Sequence, residues 1–409
     1  MALSLLAQRR GWQPRLRRAL AAGALLRVAM AAVAATDTWQ PYDFASDFTA
    51  AASAVLHHQD PVLTVRPRGW PFPPTMAFVL AGELRLGEVA HVAWPVAGRL
   101  APVAADLVLI VLVGKLATRR AALRRFQYAC NPLPIMVCAI HGQLEPEVLV
   151  LGVAAFVVAR SRRDSAGWAA GSLLGASIAV GVWSVLLLPG VLGSLPGVRR
   201  RAEAACCAFG IPVAFVATSP LTVGTPVAQV PGVVHGIIGL RPVAGGWGWT
   251  TLVTHGRTEL LPSTGLPGML LLCGGLLAAG FAWRRAHPVD LTTALLITFL
   301  VLSPRASSQY LLWPVPFLTA RMTPWATPAM AAAAAWAALG YVAIGPGLLH
   351  SWASMWAFAS LAVIPLLILA LPWQRRRPAG GAVRPALAPA APALPALPAV
   401  AGEPQRLPG

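Results

Sequence analysis

The stretch Thr38–Pro74, TWQPYDFASDFTAAASAVLHHQDPVLTVRPRGWPFPP, is the first long polar segment in a chain dominated by apolar residues. It follows an apolar segment at 19–36 and contains three aspartates, Asp43, Asp47 and Asp60. Acidic residues are scarce in this chain, which has 14 Asp and Glu and 32 Lys and Arg. We therefore expect this stretch to hold the chemistry, and the rest of the chain to act as a scaffold that brings other polar groups to the same face.

The composition predicts a polytopic membrane protein. Of the 409 residues, 57% are hydrophobic and 11% are charged, with a mean hydropathy of +0.65. A soluble domain carries roughly 25% charged residues. The net charge of +18 does not indicate nucleic-acid binding here, because the basic residues form short clusters at the ends of apolar segments. Such clusters are typical of cytoplasmic loops, so the expected partner is membrane lipid and not nucleic acid.

Basic clusters alternate with polar loops along the chain, and this alternation predicts the topology. We expect an all-α membrane protein, a bundle of about twelve transmembrane helices in the plasma membrane with both termini in the cytoplasm. The long first outer loop should contain interfacial helices, and residues 71–87 should form an interfacial or re-entrant helix. The apolar block 167–197 is too long for one span, which predicts two short helices with a break near Gly181. Residues 1–373 form the predicted transmembrane domain, and the Pro/Ala-rich residues 374–409 a disordered cytoplasmic tail.

Asp43 and Asp47 are the first candidate catalytic residues. They are four residues apart, so they would share a face if their segment is helical. A partly desolvated carboxylate at a membrane interface can act as a general base towards a hydroxyl group. The alternative is an ordinary solvated loop in which Ser46 or Asp47 caps a helix.

Two further polar groups reach the outer face under this topology. The first is the segment 141–147, with His141, Gln143 and Glu145, which can bind a polar ligand or can simply form a turn between two helices. The second is Arg305 with Gln309 and its neighbours. An arginine at this interface suits a bidentate contact with a phosphate, or it can extend to the phosphates of the surrounding lipid.

The sequence lacks the motifs that are typical of nucleotide-binding and zinc-binding proteins. There is no GxxxxGK[ST] sequence, which makes an ATP-driven pump a poor candidate, and no Cys and His cluster has zinc spacing. No cofactor is assigned; a divalent metal on Asp43, Asp47 and Glu145 stays open, because their spacing is not diagnostic. Asp106, within the apolar segment 98–117, is expected to be a paired structural residue rather than a proton relay.

Five elements in order resemble the bacterial membrane glycosyltransferases of the GT-C fold, which are mannosyltransferase-like enzymes that use polyprenyl-phosphate sugars. These elements are Asp47-Phe48-Thr49-Ala50-Ala51-Ala52 followed by Gln59-Asp60-Pro61-Val62; Pro71-Phe72-Pro73-Pro74; Asn131-Pro132-Leu133 followed by His141-Gly142-Gln143-Leu144-Glu145; Gly246-Trp247-Gly248-Trp249; and Gln309-Tyr310-Leu311-Leu312-Trp313-Pro314. Val62 stands where the family usually has tyrosine and Glu145 where it usually has aspartate. Many relatives also carry a lysine in the region matching 180–190, and this chain has none there.

The resemblance implies transfer of a hexose, mannose being favoured, from a polyprenyl-phosphate donor to a glycan or glycolipid acceptor of the cell envelope on the outer membrane face. Asp47 or Asp43 would be the catalytic base. His141, Gln143 and Glu145 would line the substrate site together with Asp60, while Arg305 and Gln309 would hold the donor phosphate or sugar.

Two other functions stay open from the sequence. A transporter or flippase of a lipid-linked substrate should show two related halves with interrupted helices, and no clear internal repeat is present. An inactive scaffold of the same fold is the other alternative.

Overall fold

The structure, a computed structural model, describes residues 2–36, 39–65, 70, 72–161, 163–238, 246–256, 265–304, 306–348 and 350–373. These residues form helices and connecting turns, with no β-strand among them. The predicted disordered tail, 374–409, lies outside the described residues.

The α-helices of the first half of the chain are α1 (Ala2–Arg9), α2 (Leu16–Thr36), α3 (Phe48–Leu56), α4 (Pro61–Thr64), α5 (Pro74–Ala90), α6 (Trp94–Ala97), α7 (Leu100–Leu116), α8 (Ala121–Ala129), α9 (Pro132–Ile135), α10 (Glu145–Ala159) and α11 (Ala166–Val180). Those of the second half are α12 (Leu188–Ser194), α13 (Val198–Ala217), α14 (Ser219–Thr222), α15 (Val230–Ile238), α16 (Trp249–Thr254), α17 (Gly265–Trp283), α18 (Pro288–Leu302), α19 (Val315–Ala320), α20 (Ala326–Leu339) and α21 (Ala353–Ala370). Short π-helices occur at Asp43–Asp47, Met136–His141 and Gly340–Ile344, and 3-10 helices at Val182–Leu187, Val227–Gln229, Ser308–Leu312 and His350–Trp352.

Five helical stretches of the described residues are long and apolar enough to cross a membrane. They are Leu16–Thr36, Trp94–Leu116, Gly265–Trp283, Ala326–Ile344 and Ala353–Ala370. Five further apolar helical stretches have between 10 and 17 residues. The total of about twelve spans, and the side of the membrane on which each loop lies, stay predictions.

Breaks within the apolar segments follow from glycine and proline. The predicted break near Gly181 is confirmed, because α11 ends at Val180 and Gly181 is extended before the next 3-10 turn. The apolar segment 126–140 is also divided. Its first helix, α8, ends at Ala129, and Asn131 starts a new helix by accepting a hydrogen bond from the amide of Leu133. Pro132 follows as the first helical residue, a position that proline favours because its missing N–H is not needed there.

Two large hydrophobic clusters hold the described helices together, beside a small third cluster of Ile135, Cys138 and Ala139. The larger of the two is built mainly from residues of α7, α10, α18 and α20. The smaller of the two lies beneath the first polar loop, where Phe44 and Phe48 pack with Trp70 and with residues of α5 and α10. Burial of these aromatic side chains fixes the first loop onto the helices, so its polar residues have defined positions.

A buried ion pair joins α2 to α7. Arg27 Nε donates to Asp106 Oδ2 at 2.6 Å, and the Tyr128 hydroxyl donates to Asp106 Oδ1 at 2.6 Å. Both charged residues are fully buried. The expectation that Asp106 is a paired residue is therefore confirmed.

Candidate active site

Asp43 is the first residue of the π-helix in the polar loop. The next residue, Phe44, is fully buried and anchors this helix. Its ring stacks on Trp94 with centroids 5.4 Å apart, and its carbonyl accepts a hydrogen bond from Trp94 Nε1 at 2.9 Å. The Phe44 amide in turn donates to Asp43 Oδ1 at 3.0 Å. These contacts hold the Asp43 carboxylate in place while 32% of its side chain stays exposed.

His141 and Gln143 both contact Asp43. His141 is the last residue of the π-helix Met136–His141, and Gln143 follows two residues later. This helix ends at Gly142, which has φ +74°. A Cβ atom at Gly142 would lie 2.5 Å from the Phe44 ring, so a larger residue is excluded both by backbone conformation and by space. Gly142 therefore allows the chain to turn tightly against Phe44, which brings the side chains on either side of it to Asp43.

The three polar side chains form a connected cluster. His141 Nε2 lies 2.8 Å from Asp43 Oδ1, and Gln143 Nε2 donates to Asp43 Oδ2. On the other side of the imidazole, His141 Nδ1 lies 3.1 Å from the Tyr341 hydroxyl. Because an ionised carboxylate only accepts hydrogen bonds, we assign a proton to Nε2 of His141. The Tyr341 hydroxyl then donates to Nδ1 when the ring is neutral.

The charge state of Asp43 follows from these contacts. Burial alone would raise the pKa of its carboxyl group. The facing His141, with the hydrogen bonds from Phe44 and Gln143, acts in the opposite direction and is stronger, so the pKa of Asp43 falls below its ordinary value. The site therefore holds Asp43 as a carboxylate at neutral pH.

Arg99 contacts the residues that carry the cluster, and the sequence did not identify it as part of the site. It is 2% exposed, and its guanidinium donates to the carbonyl of Ala139 at 3.0 Å and to that of Ile140 at 2.7 Å. The same group lies over the Phe44 ring, 4.2 Å from its centroid. Arg99 thus binds the end of the His141 helix and the residue beside Asp43 at once. An arginine at the start of an apolar segment was the signal available in the sequence.

Two hydrogen-bond acceptors near the cluster are buried and lack a partner among the described residues. They are Gln143 Oε1 and Glu145 Oε2. Glu145 is 3% exposed, and its charge interacts with that of Asp43. Buried acceptors without donors are uncommon in proteins. Such acceptors are suited to a ligand that carries several hydroxyl groups.

The other predicted residues have different surroundings. Asp47 is half-buried on the same π-helix as Asp43. Asp60 is 4% exposed, and its two carboxylate oxygens accept hydrogen bonds from the Val62 amide and from Thr225 Oγ1. It joins the first loop to the turn after α14, and no contact to Asp43 is observed among the described residues.

The 3-10 helix Ser308–Leu312 borders the cluster. Ser308 hydrogen-bonds Tyr341, and the charge of Asp43 acts on Tyr310. Gln309 on this helix is 7% exposed and accepts a hydrogen bond from Ser307 Oγ. Arg305, predicted to hold the donor, lies outside the described residues. Tyr341 was missed from the sequence because it follows an alanine-rich apolar helix and belongs to no motif.

No group of three or more His, Cys, Asp or Glu in the described part of the chain is arranged to hold a metal ion. The polar cluster therefore offers a carboxylate, an imidazole, an amide and a phenol as its chemical groups. Together they can accept a proton from a hydroxyl group and hold a polar molecule by hydrogen bonds.

Known proteins were compared with this chain by sequence and by structure. No family model matches the sequence, and no curated protein matches it. Among solved structures, the apo form of the oligosaccharyltransferase from Archaeoglobus fulgidus is similar to this chain, with a TM-score of 0.42 and 12% sequence identity. The match covers 87% of this chain and 56% of that one, so the chain spans little more than half the length of that enzyme.

Proposed function

We propose that this protein is a membrane glycosyltransferase of the GT-C type. It would transfer a hexose, with mannose favoured, from a polyprenyl-phosphate donor to a glycan or glycolipid acceptor on the outer membrane face. The observation that carries the proposal is the hydrogen-bonded cluster of Asp43, His141 and Gln143. The five ordered sequence elements that resemble this family supply the reaction class, and two of these elements contribute residues at or beside the cluster.

Asp43 is the general base in this proposal. Its carboxylate is ionised, a third exposed, and fixed by donors from two directions. An acceptor hydroxyl that hydrogen-bonds to its open side is oriented for attack on the anomeric carbon of the donor. The acceptor oxygen forms a bond to that carbon, the bond from the carbon to the phosphate oxygen breaks, and the hydroxyl proton passes to Asp43. The products are the glycosylated acceptor and polyprenyl phosphate.

The carboxylates have a second effect on this reaction. Positive charge develops on the sugar ring as the bond to phosphate breaks, as in other glycosyl transfers. Asp43, together with Glu145 when that group is ionised, supplies negative charge next to the ring. Charges held in fixed positions stabilise such a state. The unpartnered oxygens of Gln143 and Glu145 accept hydrogen bonds from the sugar hydroxyls. Gln309 and Arg305 would hold the donor phosphate, as the resemblance implies.

His141 holds Asp43 in its ionised form in this scheme. With Nε2 bound to the carboxylate and Nδ1 facing Tyr341, the imidazole has both nitrogens occupied. It therefore orients the carboxylate and lowers its pKa, and it does not itself face the acceptor. We therefore expect that loss of the Asp43 carboxylate abolishes sugar transfer. Loss of the His141 imidazole should instead change the pH dependence of transfer.

The experiment that tests the function uses the purified full chain in lipid vesicles. Polyprenyl-phosphate-[³H]mannose is supplied with extracts of envelope glycolipid as acceptor, and labelled product is measured beside the distribution of labelled donor between the two leaflets. Formation of labelled product supports the transferase. Movement of donor across the bilayer with no product contradicts it and supports the flippase, and absence of both indicates an inactive scaffold.

A further inference from the structure

A polar cleft lies at the opposite end of α10 from the candidate active site. We call it the arginine cleft; it has a volume of about 470 Å³, and its polar lining consists of Arg160, Ser161, Ser194, Arg200 and Arg201. Glu145 is the first residue of α10, and Arg160 directly follows its last. Since an α-helix rises 1.5 Å per residue, roughly 22 Å of helix separates the two places. The cleft is therefore not part of the Asp43 cluster.

Two residues that line the cleft, Arg160 and Ser161, carry buried hydrogen-bond donors that have no acceptor among the described residues. Arg160 Nη1 donates to the carbonyl of Leu116 at 3.0 Å, but its Nη2 is buried and has no partner among the described residues. The hydroxyl of the neighbouring Ser161 is also buried without a partner in the same part of the chain. Buried polar groups are nearly always paired, so two adjacent unpaired donors at one cleft point to a missing acceptor.

The charged residues that line the cleft are all arginines, so the cleft is positively charged. None of its lining residues is acidic. Arg200 is partly neutralised by Asp164, which it contacts at 2.8 Å, whereas Arg201 Nε donates to the carbonyl of Leu195 at 3.0 Å and makes no ion pair among the described residues. Arg200 and Arg201 also belong to the first turn of α13, which has no acidic residue. The positive end of the helix dipole adds to the charge of these arginines, and an anion at this end relieves the repulsion.

We propose that the arginine cleft binds a phosphate group, carried either by a lipid headgroup or by a free phosphate compound. The planar guanidinium of Arg160 offers paired donors that match phosphate oxygens, and the Ser161 hydroxyl supplies a further donor. A cavity of this size is in the range of small-molecule sites, about 300–1,000 Å³, and is larger than a bare phosphate needs. The ligand class is therefore a phosphate ester with a small polar group attached. This inference is independent of the proposed transferase reaction.

The test measures binding to the purified full chain by two probes. The first is inorganic phosphate, titrated at constant ionic strength against chloride while the midpoint of thermal unfolding is recorded. The second is phosphatidylglycerol in phosphatidylcholine nanodiscs, with bound lipid counted by native mass spectrometry after release of the protein. Stabilisation by free phosphate identifies a soluble phosphate compound as the natural source. Retention of phosphatidylglycerol without an effect of phosphate identifies a lipid headgroup.

The variants Arg160→Gln and Arg201→Gln each remove one charge from the cleft, and Arg199→Gln is the matched control. Arg199 is next to Arg200 in the sequence, but its side chain is 91% exposed, pairs with Glu203 and does not line the cleft. We expect the probe that binds the wild-type protein to bind each cleft variant at least tenfold more weakly. Its affinity for the control variant should stay within twofold of the wild-type value. Arg201→Gln keeps the test valid if Arg160→Gln does not fold. Equal loss in all three variants, or no binding of either probe to the wild-type protein, would overturn the proposal.

Discussion

The carboxylate of Asp43 and the imidazole of His141 lie 2.8 Å apart although 98 residues separate them in the chain. The contact joins the polar loop after the first apolar helix to the π-helix that precedes α10. Its geometry depends on Gly142, which permits the turn, and on Phe44, which packs into the space that a side chain at Gly142 would fill. The packing of Phe44 against Gly142 therefore fixes the positions of Asp43 and His141, in addition to the hydrogen bond between them.

The pH dependence of transfer should report the interaction between Asp43 and His141. The folded protein lowers the pKa of Asp43, so the wild-type rate should persist on acidification until the pH falls below the ordinary value of 3.8 for this group. In His141→Asn the burial of Asp43 remains while the facing charge is lost, so its pKa rises and the acidic limb of the rate profile moves to higher pH. Tyr341→Phe, which keeps the imidazole, is the control and should move the limb less. An unchanged limb in His141→Asn would show that His141 does not set the charge of Asp43.

The same linkage applies to stability. A lowered pKa of Asp43 contributes stability above its unfolded-state pKa, and this contribution disappears as the pH falls through the folded-state value. The unfolding midpoint of the wild-type protein should therefore decrease more on acidification from pH 6 to pH 3 than that of Asp43→Asn, which has no carboxyl group to protonate.

Arg99 should act as a positioning residue for the transfer reaction. Arg99→Lys retains a positive charge but loses the fork that binds two carbonyls of the His141 helix. We expect kcat to fall by about tenfold with KM nearly unchanged, because misplacement of the base affects the transition state more than substrate binding. Arg85→Lys is the matched control, since Arg85 is 69% exposed and pairs only with Glu88 among the described residues. A rise in KM with constant kcat would instead assign Arg99 to substrate binding.

The Arg27–Asp106 pair should be structural. Asp106→Asn leaves a buried guanidinium without its counter-charge, and breaking a buried pair in this way costs about 3–5 kcal/mol. The double variant Arg27→Met with Asp106→Leu removes both charges and should recover most of this loss. Reversible unfolding in mixed micelles measures both effects. A double variant as unstable as the single one would show that the ion pair contributes more than the avoidance of an unpaired charge.

The sequence predicted the kind of fold and the neighbourhood of the site better than its detailed geometry. Hydropathy and basic clusters indicated apolar helices, and the break at Gly181 followed from length alone. The same topology placed the first loop and the segment 141–147 on one face, which is where the contact between Asp43 and His141 occurs. The choice between Asp43 and Asp47 could not be made, because both are compatible with the spacing and only the packing of Phe44 orients one towards His141.

The residues that the sequence did not reveal act through long-range packing. Arg99 and Tyr341 reach the cluster from helices whose own sequences are apolar, and their partners are known only once those helices are placed. The described part of the segment 220–264 contains α15 and α16, because a high content of Gly, Pro and Thr does not prevent short helices that pack on neighbours. Asp60 stays a predicted substrate ligand, although both of its oxygens accept hydrogen bonds from within the chain.

Asp43 is the base of the sugar transfer in the proposed mechanism. Asp47→Asn is the natural control for Asp43→Asn, because it changes the same chemical group on the same π-helix. Transfer from polyprenyl-phosphate-mannose should be measured for the wild-type protein, Asp43→Asn and Asp47→Asn in vesicles, with folding checked by thermal unfolding. We expect a loss of about 10²–10⁴-fold in Asp43→Asn, the usual contribution of a general base, and near wild-type transfer in Asp47→Asn. Full transfer in a folded Asp43→Asn protein, or loss confined to Asp47→Asn, would show that Asp43 is not the base.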